Sequence, residues 1–217
     1  MNTPIVATRS IAPPVLQTNT PGRQPAVFID CDGVLVDDWI DSADEVDRKL
    51  RPDSVAALAK LTSKLPEARV ALVSNKRWVG NDEGRMQKAE QLFQAVVEKV
   101  EAAGGQLDAI HFAPTRGRFL EQPHHVSGQK PDPGMLWHIA SEMGDSIDLA
   151  DSYMIGDMTT DLEAGQKAHP DLQKILVETG RGGRDGKSSV QPDRRCANLS
   201  EAVNWIIARE TVAQIFA

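Results

Sequence analysis

Two aspartates separated by one residue follow an apolar run, and their types and spacing could support chemistry. Asp30 and Asp32 flank Cys31, come after the run 26–29, and are followed by Gly33. Because side chains of a strand alternate between its faces, the two carboxylates are expected to point the same way. Such close like charges repel unless one is protonated or a cation lies between them. A divalent metal with one carboxylate as nucleophile would use this arrangement, although an acidic turn has the same composition.

Two further polar groups stand beside predicted elements. Ser74 and Asn75 come at the end of the apolar run 69–73, where a hydroxyl and backbone amides could bind a phosphoryl oxygen or simply form a polar turn. Lys130 precedes a helix that begins with prolines. It could neutralise charge on a transferred group, or it could be solvated as most lysines are.

A last pair of acids, Asp157 and Asp161, stands at the end of a predicted strand and one helical turn later. Asp157 could reach a metal at the strand ends, and Asp161 could support it from behind. The alternative is that both acids only stabilise the start of a helix. Four such groups beside the elements of one sheet favour a shared site over four separate structural roles.

Strand and helix patterns alternate from residue 26 onward. Strands are predicted over 26–30, 69–74, 108–113, 152–155 and 172–177, and helices over 52–65, 82–103, 133–143, 159–168 and 199–215. The stretch 180–196 is predicted to be a loop, and Ser200 to cap the last helix. The alternation predicts an α/β three-layer sandwich with a mainly parallel Rossmann-like sheet. Ligands of such sheets bind beyond the carboxyl ends of the strands, where the polar groups fall.

The composition excludes several classes of protein. A formal net charge of −7 and an aromatic content of 5% argue against nucleic-acid binding. The only cysteines, Cys31 and Cys196, argue against a disulfide framework and a cysteine zinc site, and they fit a cytoplasmic location. No stretch is long enough to span a bilayer, so no membrane partner is expected. The oligomeric state is left open.

The start of the chain differs in composition from the rest. Residues 1–24 contain no acid and four prolines, which predicts a disordered tail; an organelle transit peptide is the alternative. Residues 25–217 are predicted to form a single domain.

The ordered stretches FIDCDGVLV, ALVSN, QKPDPGM and MIGDMTTDLEAG resemble the haloacid dehalogenase-like (HAD) superfamily over residues 26–180. KPDPGM, GDMTTDLEAG and LVETGRG are most similar to its branch of heptose bisphosphate and histidinol phosphatases. The resemblance implies a HAD-type sheet and a Mg²⁺-dependent phosphomonoesterase. The implied substrate is a small phosphorylated metabolite such as a sugar phosphate, hydrolysed through an aspartyl phosphate.

The resemblance also implies roles for single residues. Asp30 would attack phosphorus, and Asp32 would protonate the leaving oxygen and then activate water. The implied phosphate contacts are Ser74, Asn75 and Lys130. The implied Mg²⁺ ligands are Asp30, the backbone carbonyl of Asp32 and Asp157, with Asp161 in support.

Two features depart from the branch. The branch commonly carries a zinc loop of cysteines and a histidine, whereas the interval 111–129 of this chain has no cysteine, although its histidines could bind metal. The branch often has a substrate-contacting arginine before the motif lysine, where this chain has Gln129. Both departures weaken a heptose or histidinol assignment.

Access to the site is predicted to be open. The interval 33–51 has room for an acidic flap only, and the interval before Lys130 is too short for a large cap domain. Candidate contacts for a second anionic group of the substrate are Arg77, Arg116 and Arg181.

Three other functions remain open. A phosphotransferase would need a cap that excludes water. A polynucleotide end-phosphatase is disfavoured by the acidic balance of the chain. A catalytically inactive HAD-like binding module is disfavoured because the motif acids and lysine are all present.

Overall fold

The computed structural model describes residues 5–7, 24–80, 82–114, 128–143 and 147–216. Their strands are β1 (Ile5–Ala7), β2 (Gln24–Ile29), β3 (Arg69–Asn75), β4 (Ala109–Ala113), β5 (Ile147–Gly156), β6 (Gln173–Val177) and β7 (Arg194–Cys196). They form one parallel sheet in the order β1-β4-β3-β2-β5-β6-β7.

The helices lie on both faces of this sheet. They are α1 (Val46–Lys49), α2 (Pro52–Lys64), α3 (Glu83–Ala102), α4 (Gly134–Glu142), α5 (Thr159–Ala168) and α6 (Leu199–Phe216), and a 3₁₀ turn, Ala43–Glu45, precedes α1. One core joins α2, α3 and α6 to the sheet, and a second core joins α4 and α5 to its other face. The predicted three-layer α/β sandwich is confirmed.

The central strand β2 is apolar on both faces, which suits a strand covered by helices on each side. Val27 and Ile29 belong to the first core, whereas Ala26 and Phe28 belong to the second. β2 pairs with β3 and β5, so the carboxyl ends of these three strands lie side by side.

Two strands and one helix cap differ from the predictions. Two parts of the predicted disordered tail 1–24 lie in strands: Ile5–Ala7 form β1, which pairs with β4, and Gln24 begins β2. The remaining residues of 1–24 lie outside the described part, so the tail stays a prediction for them. β7 lies in the predicted loop 180–196. Asn198, and not Ser200, caps α6, because its side-chain oxygen accepts from the backbone N–H of Glu201 at 3.0 Å.

The insert after β2 is small. Between Gly33 and Arg51 it contains the 3₁₀ turn, α1 and a single antiparallel bridge between Val36 and Leu50. No cap domain is built there, as predicted. No helix in the described part of the chain is both long and apolar enough to cross a membrane. That residues 25–217 form a single domain stays a prediction.

Candidate active site

Three buried carboxylates meet at the carboxyl ends of β2 and β5. Asp30 follows β2, and its backbone N–H donates to the carbonyl of Ile155 in β5 at 2.9 Å. Asp157 follows β5, and Asp161 lies in the first turn of α5. Oxygen atoms of Asp30, Asp157 and Asp161 lie within 4.8 Å of one another. Asp30 and Asp157 are 127 residues apart in the sequence and become neighbours because β2 pairs with β5. Asp161 joins them because it lies one helical turn after Asp157.

Lys130 pairs with two of these acids, Asp30 and Asp161. Its ammonium contacts Asp30 Oδ1 at 2.8 Å and Asp161 Oδ1 at 2.7 Å, and it donates to the carbonyl of Val73 at 2.8 Å. Burial opposes a charge on Lys130, but Asp161 and Asp30 outweigh it and raise the pKa of this ammonium. All three N–H donors are thus engaged by the protein itself. A phosphoryl oxygen could contact Lys130 only in exchange for one of these acceptors.

Asn75 holds the segment that carries Lys130. Its side-chain amide donates to the carbonyl of Lys130 at 2.9 Å and accepts from the N–H of Lys130 at 2.9 Å. Both ends of the amide are therefore used on the backbone. Asn75 therefore positions Lys130, and its phosphate contact stays a prediction that the second N–H of the amide could still serve.

The acids outnumber the cations in this cluster. Asp30, Asp157 and Asp161 face the single ammonium of Lys130, so the ionised group would carry two excess negative charges. Burial, together with the charge on Asp30, raises the pKa of Asp157 to about 7. Burial also raises the pKa of Asp161, with Lys130 opposing the shift. A divalent cation would neutralise this excess.

The donor set fits Mg²⁺. Asp157 Oδ2 accepts from the N–H of Arg181 at 2.6 Å, whereas Oδ1 is buried and has no hydrogen-bond partner among the described residues. A buried carboxylate oxygen without a partner is costly unless a cation binds it. Hard oxygen ligands of this kind are those that Mg²⁺ prefers.

Glycines make room for Asp157. A Cβ on Gly180 would lie 2.2 Å from Asp157 Oδ2, and a Cβ on Gly33 would lie 2.5 Å from the same atom. Both glycines have positive φ, +58° and +83°, which side chains rarely adopt. The loops after β2 and β6 can therefore close around Asp157 only as glycine.

Asp30 has one committed and one uncommitted oxygen. Oδ1 accepts from Lys130 and from the N–H of Cys31 at 2.7 Å. Within the described ranges, no hydrogen bond engages Oδ2. The carboxylate is thus held by one oxygen, while the other is available to attack an electrophile.

Ser74 presents a second unpaired group. It is fully buried at the end of β3, and its Oγ has no hydrogen-bond partner in the described part of the chain. A buried hydroxyl that lacks a partner is uncommon in folded proteins. An oxygen of a bound phosphoryl group would satisfy it.

Asp32 contacts a lysine that was not predicted to have a role. Lys76 is 1% exposed, and its ammonium lies 2.6 Å from Asp32 Oδ1 and 2.8 Å from Oδ2. One available signal was that Lys76 directly follows Ser74 and Asn75 at the same sheet edge, where acids exceeded the assigned cations. Cys31 points into the first core, and burial raises the pKa of its thiol to about 12, so it is inert.

The predicted arginines are only partly placed by the structure. Arg181 is exposed and touches the acid cluster through its backbone N–H. Arg77 is exposed and follows Lys76. Arg116 lies outside the described residues. Gln129, which stands in place of the branch arginine, donates to the carbonyl of Pro114 at 2.7 Å.

A second group of metal-capable side chains lies apart from these acids, between β4 and α4. His111 Nε2 lies 2.9 Å from Glu142 Oε2, and His138 Nε2 lies 3.2 Å from Glu142 Oε1. Burial lowers the pKa of His111 to about 4, so its imidazole is neutral. His124 and His125 lie outside the described residues.

A family model for HAD-hydrolase-like proteins matches residues 128–202. Curated relatives cover more of the chain. A D-glycero-D-manno-heptose-1,7-bisphosphate 7-phosphatase from Thermosynechococcus vestitus is 30% identical over 197 residues, which are 84% of this chain and 95% of the relative. The D-glycero-beta-D-manno-heptose-1,7-bisphosphate 7-phosphatase of Photorhabdus laumondii is 32% identical, over 72% of this chain and 82% of its own length.

Solved structures agree with these relatives. The D,D-heptose 1,7-bisphosphate phosphatase of B. bronchiseptica, crystallised with magnesium and phosphate, superposes with a TM-score of 0.68 at 26% identity. The match covers 86% of this chain and 99% of that one. The enzyme of the same name from Burkholderia thailandensis has the same fold, with a TM-score of 0.58 at 20% identity, over 85% and 99% of the two chains.

Proposed function

Given that the chain belongs to the HAD-like hydrolases, in the branch of the heptose bisphosphate phosphatases, we propose that its active site lies at the carboxyl ends of β2, β3 and β5. The protein is a Mg²⁺-dependent phosphoric monoester hydrolase. The observation that carries the proposed site is one convergence: three buried carboxylates lie within 4.8 Å of one another, and Lys130 pairs with two of them, Asp30 and Asp161.

The first chemical step is assigned to Asp30 and Asp32. Asp30 Oδ2 attacks phosphorus, and the bond from phosphorus to the leaving oxygen breaks as an aspartyl phosphate forms. Asp32 gives its proton to the leaving oxygen. Lys130 and the N–H of Cys31 hold Asp30 Oδ1 during the attack, so that only Oδ2 can turn toward the substrate.

The second step reverses the role of Asp32. Its carboxylate takes a proton from water as the water oxygen attacks phosphorus, and the bond between phosphorus and Asp30 breaks. The products are inorganic phosphate and a free Asp30. Both steps move one proton through Asp32, which is therefore ready for the next cycle.

Mg²⁺ would be held by Asp30, Asp157 and the backbone carbonyl of Asp32, and it supplies the positive charge that lets an anionic nucleophile approach an anionic phosphate. Asp161 keeps Lys130 in place by their 2.7 Å contact. The hydroxyl of Ser74 donates to a phosphoryl oxygen, which would satisfy its unpaired Oγ.

The proposed substrate is a sugar phosphate. The named relatives are heptose bisphosphate phosphatases, and the described insert between Gly33 and Arg51 is too small to be a large cap over the site. Arg77 and Arg181 are exposed near the site and could contact a second anionic group, and Arg116 keeps this role as a prediction. Gln129 in place of an arginine favours a sugar phosphate other than the heptose bisphosphate.

The cytoplasm is the proposed location. Cys31 and Cys196 are both free and buried, which suits a reducing compartment. No nucleic acid or membrane partner is proposed, because the net charge is −7 and small phosphorylated molecules need only a local positive site.

Phosphate release tests the proposal. The assay uses 4-nitrophenyl phosphate and a panel of sugar phosphates, with Mg²⁺ and with a chelator. The wild type should release phosphate only when Mg²⁺ is present. Asp30→Asn should release no phosphate, with or without Mg²⁺. Asp151→Asn, an exposed acid in the middle of β5, is the matched control and should retain activity. Metal-dependent release by Asp30→Asn at the wild-type rate would exclude the assigned site.

A further inference from the structure

Lys76 is a buried lysine beside Asp32, the proposed proton-transfer residue, and protein acceptors engage all of its N–H donors. It is 1% exposed, and besides the two oxygens of Asp32 it donates to the carbonyl of Ile40 at 3.1 Å. The ring of Phe93 lies below the ammonium, with its centroid 5.6 Å from Nζ. A lysine has three N–H donors, so these three acceptors saturate it. Lys76 therefore has no donor left for a substrate.

The two oxygens of Asp32 are held unequally. Oδ1 accepts from Lys76 at 2.6 Å and also from the backbone N–H of Ile40 at 3.2 Å, whereas Oδ2 accepts from Lys76 alone at 2.8 Å. Ile40 belongs to the insert after β2, and it contacts Lys76 through its carbonyl and Asp32 through its N–H. Lys76 and the N–H of Ile40 thus hold Asp32 Oδ1 beside the inserted segment. Oδ2 has only the contact with Lys76 and is easier to release from it.

Solvation of Asp32 does not require Lys76. The side chain of Asp32 is 24% exposed, so water could pair with its oxygens if the lysine were absent. Burying a lysine is itself costly, and an apolar residue of similar size often replaces a buried ion pair without loss of stability. The contacts of Lys76 with both oxygens of Asp32 and with the carbonyl of Ile40 fix the direction of the Asp32 carboxylate.

We propose that Lys76 is a positioning residue that holds Asp32 Oδ1 and so directs Oδ2 to the leaving oxygen of the substrate. This inference rests on the proposed function, in which Asp32 transfers the proton. In the first step the proton goes from Oδ2 to the leaving oxygen as its bond to phosphorus breaks. In the second step Oδ2 takes a proton from the attacking water. Lys76 keeps its own protons throughout.

A positioning role makes the dependence on Lys76 vary with the leaving group. A sugar alkoxide is a poor leaving group and needs a proton from Asp32, whereas 4-nitrophenolate leaves readily without one. The parameter kcat/KM reports the steps up to the departure of the leaving group. Lys76 should therefore matter to kcat/KM for an alkyl phosphate and hardly at all for the aryl phosphate.

The test is Lys76→Met with two substrates, 4-nitrophenyl phosphate and the sugar phosphate that the wild type hydrolyses fastest. We expect kcat/KM to fall by about 10- to 100-fold for the sugar phosphate and by less than about threefold for the aryl phosphate. The ratio of the two values from one preparation is independent of the fraction of folded enzyme, so a less stable variant still gives an answer.

Two further variants complete the design. In an Asp32→Asn background, Lys76→Met should cause no additional loss on the sugar phosphate, because the two residues act as a unit. Lys174→Met is the matched control: Lys174 is also buried, and it binds Asp193 at 2.7 Å and the carbonyl of Leu172 at 3.1 Å. This control should leave the substrate ratio at its wild-type value.

Three results would overturn the proposal: an equal loss on both substrates, no loss on either, or a further loss in the Asp32→Asn background. The first would assign Lys76 a structural role only. Failure of the proposed function is separate, since it would appear as metal-independent release or as an active Asp30→Asn enzyme before any Lys76 variant is measured.

Discussion

The ion pairs at the two ends of the sheet differ in the ratio of acids to cations. At the amino ends of the strands, two cations each pair with one acid: Lys174 in β6 with Asp193 at 2.7 Å, and Arg69 in β3 with Asp108 at 3.2 Å. At the carboxyl ends, three acids share one lysine, and the pKa of Asp157 is raised to about 7. We therefore expect the amino ends to contribute to stability, and the carboxyl ends to receive a cation and an anion in the proposed function.

Buried atoms without a partner occur at both ends of the sheet, because Gln24 Oε1 at the amino end of β2 has none among the described residues. Asp157 Oδ1 and Ser74 Oγ are buried at the carboxyl ends without a partner among the residues described. Such atoms cost folding free energy and are retained where a ligand satisfies them. Replacing carboxyl-end residues should therefore reduce activity more than stability, and replacing amino-end residues should do the reverse.

The largest effect is expected for Asp30→Asn. Turnover should fall by about a thousandfold or more, because an amide oxygen cannot serve as the nucleophile. Thermal unfolding should change little, since the amide oxygen can still accept from Lys130 and from the N–H of Cys31. If Asp30→Asn unfolds like the wild type and also hydrolyses substrate at the wild-type rate, the proposed difference between the amino and carboxyl ends of the sheet is wrong.

Asp157→Asn should change the metal requirement. The Mg²⁺ concentration for half-maximal activity should rise at least about tenfold, because a neutral amide is a weaker ligand than a carboxylate. Without metal, the free energy of unfolding should rise or stay constant, since one buried charge is lost from a crowded group. Mg²⁺ titrations of activity and chemical denaturation with chelator measure both. An unchanged Mg²⁺ requirement would place the cation elsewhere.

Two buried serines compare an unpaired hydroxyl with a paired one. Ser74→Ala should lower kcat/KM by about 100-fold and leave stability within about 0.5 kcal/mol, because its Oγ makes no bond within the described chain. Ser54→Ala, in α2, should retain activity and lose about 1 kcal/mol, because Ser54 donates to the carbonyl of Val34 at 2.9 Å. The reverse pattern, with Ser74→Ala unstable and active, would make Ser74 a structural residue.

Lys174→Met should destabilise the protein and leave its chemistry intact. The variant loses the contacts to Asp193 and to the carbonyl of Leu172, and Asp193 is partly solvated, so about 1–2 kcal/mol is expected. Urea denaturation gives the free energy, and kcat/KM for 4-nitrophenyl phosphate should equal that of the wild type. A large fall in kcat/KM would mean that the amino end also shapes the site.

The smallest effect is expected from deletion of residues 1–23, which removes β1. The loss of the pairing between Ile5–Ala7 and β4 should lower the free energy of unfolding by roughly 1–2 kcal/mol, with activity within about twofold of the wild type. A shorter deletion, of residues 1–4, keeps β1 and serves as the control. Equal stability of the two deletions would show that β1 contributes nothing.

The sequence predicts the sheet and the place of the site because local signals specify both. The run before Asp30 and the run before Ser74 each mark a buried strand, and parallel strands bring their carboxyl ends together. β1 and β7 escape prediction because three residues are too few to show a period.

The finer arrangement of the site depends on tertiary contacts that no local pattern encodes. Asn75 stands where a phosphate contact was predicted, but the segment that carries Lys130 folds back on it. The ammonium of Lys76 contacts Asp32 and also the carbonyl of Ile40, which the insert after β2 places beside it. The residue types at the strand ends therefore predict the chemistry. The hydrogen-bond and ion-pair partners of these residues can be identified only from the structure.

The identity of the nucleophile tests the account most directly. Wild-type enzyme is mixed with substrate and Mg²⁺, quenched in acid during turnover and reduced with borohydride, which converts an aspartyl phosphate to homoserine; peptide mass spectrometry then locates the change. The account predicts homoserine at position 30 alone, and none in Asp30→Asn. Homoserine at another aspartate, or continued turnover with position 30 never modified, would contradict it.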